Sequence, residues 1–213
     1  MEGLGLHGWE NFYVIVGSSA GALTGLTFIV ITISSSDGSG GFSNSPVARL
    51  MGMRAFITPI AVHFCSALWV SFLLSVPVQT VLSLTVCLGV TGLAGAVYCA
   101  QITAWMLKTR VHYKPFLSDW IWNVILPGTS YLALLVAALL LSGHTLAAML
   151  VVAAASVLML FIGIHNAWDV VAWITTERHA YGRRRQGDPG RVEDDSGGAS
   201  EDANKPKRSG PSR

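Results

Sequence analysis

The chain has 213 residues, 52% of them hydrophobic and only 12% charged, with mean hydropathy +0.52 and a formal net charge of +2. An ordinary soluble domain carries about twice that charged share, so the composition excludes a water-soluble globule with a charged shell and points to a membrane protein. Five apolar runs, 11–33, 55–77, 80–107, 120–143 and 145–176, are each long enough to cross a hydrocarbon core that takes about 20 helical residues.

The opening stretch, MEGLGLHGWEN, carries Glu2 and Glu10 and neither Lys nor Arg. A secretory signal begins with basic residues, so the run 11–33 is expected to be a retained span. Within it GSSAGALTG places Gly17, Gly21 and Gly25 every fourth residue, with Ser18 and Ala22 beside them. Helical geometry puts these on one smooth face, and in lipid such faces let two backbones approach and gain dispersion contacts. The face serves either packing within one bundle or a homo-oligomeric seam. The following SSSDGSGGFSNSP has no periodicity and reads as a flexible loop.

The second span contains Pro59 and His63, and the third contains Gly89, Gly92, Gly95 and Gln101. The third span's glycines repeat the small-residue theme of the first. Cys65, Cys87 and Cys99 all fall within spans without CxxC spacing, which fits packing residues rather than a metal or redox pair. The fourth span opens with Asp119 flanked by Trp120 and Trp122, as in an aromatic belt, and continues through Asn123 and Pro127. A proline inside a span frees the carbonyl one turn earlier and kinks the helix.

The last run contains FIGIHNAWDVVAWITTERH, which sets His165 and Asp169 one turn apart between tryptophans. As a helix the run 145–176 is about 48 Å long, against a core of about 30 Å, so part of it protrudes. Asp169 then lies either among headgroups with Trp168 and Trp173, or in the core beside His165 as a proton relay. The tail, 181–213, alternates basic, acidic and basic clusters; it cannot bury a core and is expected to be disordered. Its mixed sign and lack of interleaved aromatics argue against nucleic acid as a partner.

Lys and Arg fix an expected orientation. Arg49 and Arg54 flank the first connection, Lys108, Arg110 and Lys114 the third, and Arg178 with Arg183 to Arg185 the last span, while SVPVQT and SGHT carry none. The positive-inside rule places the N terminus outside and the C terminus in the cytoplasm, in the plasma (inner) membrane. The expected fold is an all-α bundle of about five spans over 1–180. Counted from the basic ends, His63 lies about 13 Å deep, Gln101 about 9 Å and Asn123 about 6 Å, so polar groups gather in one half of the membrane.

That clustering suggests a homo-oligomeric channel or carrier for protons or small ions with a cytoplasm-facing polar vestibule, with His63, His165, Asp169, Gln101 and Asn123 along the pathway. A second expectation is a non-catalytic accessory or scaffold subunit that binds other membrane proteins through its glycine faces. A third uses His63 and His165 as axial ligands of a haem. No GxSxG, phosphate-loop, HExxH or paired-acid motif appears, so neither enzymatic activity, a bound metal nor a resident cofactor is expected.

Overall fold

A computed structural model describes residues 8–36, 46–77, 79–109 and 117–186. Every regular element among them is helical: α1 (Glu10–Ser36), α2 (Pro46–Ser75), α3 (Val81–Thr109), α4 (Leu117–Trp120), a π-helical turn (Ile121–Ile125), α5 (Leu126–Leu140) and α6 (Thr145–Gln186). Five stretches are long and apolar enough to cross a membrane: Glu10–Val30, Thr58–Ser75, Val81–Lys108, Ile121–Leu140 and Thr145–Ala172. The loop expected at SSSDGSGGFSNSP lies largely outside the described residues. So do the tail beyond Gln186 and the side chains of Asp119 and Trp173. Helix α6 itself continues past Tyr181, where the tail was expected to begin, to Gln186.

The hydroxyls scattered through these apolar runs are satisfied locally. Thr24 Oγ1 donates to the Ala20 carbonyl, Ser71 to Ala67, Thr91 to Cys87 and Ser156 to Val152, each at 2.7–2.9 Å. Folding back onto the preceding turn keeps these hydroxyls from meeting an apolar surrounding unpaired. The short links are closed in the same way. Gln79 Nε2 donates to the Leu73 carbonyl at the end of α2, and Thr80 Oγ1 accepts from the Ser83 N–H at the start of α3.

Pro127 explains the π turn. It has no N–H to return to the carbonyl of Asn123, and the chain shifts register so that the Leu126 N–H bonds Ile121 O, five residues back. Ile125 and Leu126 keep right-handed helical angles, so α4, the π turn and α5 continue as one rod.

Helix packing follows the order α1, α2, α6, α5, α3, with α2 lying along α6 and only lightly against its sequence neighbour α3. Buried positions recur at three- and four-residue spacing. On α2 they include Ile60, His63, Phe64, Ala67, Val70, Ser71 and Leu74; on α5, Pro127, Ser130, Tyr131, Leu134, Ala137 and Ala138. The outward faces are equally apolar, Leu139, Leu82 and Phe28 among them. This is the pattern of helices that meet hydrocarbon outside and each other inside.

The glycine strip of α3 packs within the chain. A Cβ on Gly92 would stand 2.8 Å from Leu135 Cγ and 2.9 Å from the Tyr131 carbonyl of α5, and Gly89 faces Ala138. A Cβ on Gly95 would fall inside the Tyr131 ring. On α1, Gly17 faces Ser71 at 3.0 Å, whereas Gly21 and Gly25 have no neighbour within 4 Å.

Candidate functional site

The polar residues of the spans form two groups rather than one. The first is central. Because Gly95 has no side chain, the Tyr131 ring on α5 fits against α3 and reaches across the bundle to α2. There its hydroxyl is 3.2 Å from His63 Nδ1 and 3.0 Å from Ser66 Oγ. His63 is only 1% exposed, as is Tyr131, so protein atoms cover both rings. The three groups form a hydrogen-bonded unit that ties α2 to α5, while Gly95 holds α3 on the other side. Next to His63 on the chain, the Phe64 ring occupies the space that the missing side chain of Gly163 leaves on α6.

The second group centres on the middle of α6, beginning two residues past Gly163. His165 stacks on the Trp122 indole of the π turn, with centroids 3.6 Å apart and planes 24° from parallel. Its Nδ1 is 3.3 Å from Asp169 Oδ2, one turn along the same helix. That oxygen lies off the direction in which the ring N–H points, so the contact is electrostatic and Nδ1 has no hydrogen-bond partner. The His165 side chain is 30% exposed and that of Asp169 is 65% exposed. The carboxylate therefore stands on the outer surface of the single chain, and the imidazole is held between it and the indole.

Beside this pair, Asn166 faces inward, 9% exposed, with its Nδ2 unpaired. Asn123 is half-buried within the π turn, and Gln101 is exposed on α3. The structure thus brings His165 and Asp169 together, and with them Trp122. His63 is brought to Tyr131 and Ser66 instead, and not to the His165 pair. Among the described residues no three His, Cys, Asp or Glu side chains gather as a metal site.

Tyr131, Ser66 and Asn166 did not stand out in the sequence. The available signal was a single tyrosine in the run SYLALLVAALLL, a bulky ring with a polar tip that needs both a partner and space. Glycine at position 95 supplies the space, and only the fold shows that the two face each other. Comparison of the chain with protein-family models, with curated proteins and with solved structures finds no match in any of the three.

Proposed function

We propose that the chain is a subunit of a homo-oligomeric channel or carrier for protons or small ions in the plasma membrane, and that its pathway runs between protomers rather than through one bundle. The observation that carries this reading is the placement of Asp169. An ionisable group within an apolar stretch is costly unless it serves a path or a partner. This one is turned outward and paired with His165, which itself stacks on Trp122. Gln101, also exposed, fits the same use, and the covered state of His63 favours a path that bypasses the interior. The basic residues flanking the spans support an N-out, C-in orientation, with the Asp169 end toward the cytoplasm.

The test is proton and monovalent-cation flux in liposomes under an imposed potential. Wild type is expected to conduct and Asp169→Asn to lose the flux while still inserting. Equal flux in the two, or none in either, overturns the reading and leaves Asp169 as a headgroup anchor beside Trp168.

A second reading, a non-catalytic accessory subunit, is favoured by the α1 glycines. Gly21 and Gly25 have no neighbour within 4 Å in the single chain, and such a face suits a helix of another membrane protein. A haem between His63 and His165 finds less support, since Tyr131 and the surrounding core occupy the space at His63.

A further inference from the structure

We infer that the seam between α2 and α3 is a clasped opening, which parts at the end far from the short α2–α3 link and uncovers His63 and the Tyr131 hydroxyl. The device is independent of the pathway proposed at Asp169. The helices form a curled row in which α3, the last member, comes back beside α2 but packs on it only lightly. The neighbouring seams are interlocked. Phe64 of α2 fills the space at Gly163 of α6, and Leu135 and Tyr131 of α5 sit against Gly92 and Gly95 of α3.

Two polar clasps cross the α2–α3 seam. Trp69 Nε1 on α2 donates to Thr91 Oγ1 on α3 at 3.1 Å. Farther from the link, the Tyr131 hydroxyl meets Ser66 and His63 of α2, while its ring stays seated on α3 at Gly95. By helical rise Trp69, Ser66 and His63 stand about 9, 14 and 18 Å from the Ser75 end of α2. At that end the link pins the helices, because Gln79 Nε2 donates to the Leu73 carbonyl and Thr80 Oγ1 accepts from the Ser83 N–H. Separation therefore grows toward the opposite end.

Release of the clasps costs little. Thr91 Oγ1 already donates to the Cys87 carbonyl at 2.7 Å, and Ser66 can turn to the carbonyl one turn back, as other hydroxyls of these helices do. The Tyr131 ring keeps its seat, since it moves with α3 and α5. An average interhelical hydrogen bond within a membrane shifts such an equilibrium by only about threefold. The imidazole of His63, 1% exposed in the closed bundle, thereby has a side entrance between two helices.

The test is a set of dipolar electron paramagnetic resonance distances on the full chain in phospholipid vesicles, with Cys65, Cys87 and Cys99 replaced by alanine. One nitroxide pair, at Thr58→Cys and Ala104→Cys, spans the far end of the seam from exposed positions on α2 and α3. A second pair, at Thr58→Cys and Ile164→Cys, spans α2 and α6. With both clasps intact, the first pair is expected to show a main short distance and a minor longer one. Trp69→Phe and Ser66→Ala are each expected to raise the ratio of long to short about threefold and to leave the second pair unchanged. A first-pair distribution that either variant leaves unaltered overturns the inference. So does equal broadening of both pairs, which would mean general loosening of the bundle.

Discussion

Tyr131 combines two interactions whose sizes differ. Its hydroxyl bonds His63 and Ser66, but interhelical hydrogen bonds within membranes average only about 0.6 kcal/mol, because the separated helices find other partners. Its ring is fully covered and fills the space between α2, α3 and α5, and removing such a ring costs about 3–5 kcal/mol through lost contacts and the cavity left behind. Packing therefore outweighs polarity here. Tyr131→Phe is expected to lower stability by about 1 kcal/mol, chiefly by leaving buried polar groups unpaired, and Tyr131→Ala by several times that. Unfolding of the purified protein in detergent distinguishes them, and equal losses would show that the hydroxyl dominates. Little of this was legible beforehand. His63 and Gly95 were conspicuous in sequence, but their common partner was one apolar-run residue among many. The His165–Asp169 pair, by contrast, follows from helical spacing alone; what spacing does not show is that Trp122 covers the imidazole and that the carboxylate points outward.

Among the elements, the five apolar runs were readable because length and hydropathy suffice to find them. The inward faces were not. When every side of a helix is apolar, the 3.6-residue pattern that marks a buried face in water is absent. The same limit left the glycine strips open to two uses, which the structure separates. The strip on α3 meets α5 throughout, whereas that on α1 is covered at Gly17 and open at Gly21 and Gly25. Gly17→Leu is expected to destabilise the single chain by about 1–3 kcal/mol, the usual cost of overpacking, because Ser71 on α2 is already 3.0 Å from the added Cβ. Gly21→Leu is expected to leave chain stability unchanged and to weaken association between subunits. Thermal denaturation and cross-linking in vesicles read the two effects. A Gly21→Leu protein that unfolds as readily as Gly17→Leu would mean that α1 closes onto the bundle along its whole length.

For the molecule as a whole, orientation is the property that charge alone predicts. A cysteine introduced at Ser39, in the first connection, is expected to react with an impermeant maleimide only when the reagent reaches the cytoplasmic side. Cys65, Cys87 and Cys99 lie within the apolar helices, where a water-borne reagent has little access. Labelling from outside would invert the assignment and move Asp169 to the other leaflet.

The packing order has a consequence for synthesis. Besides α1, helix α2 packs mainly not against α3, which follows it after a short link, but against α6, the last of the described helices. Contacts distant in sequence form late, since the intervening chain must be ordered first. Until α6 leaves the ribosome, the inward face of α2, with His63 and Phe64, has no native cover from that side, and the bundle cannot close. A nascent chain stalled in the SGHT link would hold four spans and an unfinished core, so the packing of α2 stays incomplete until α6 has been made.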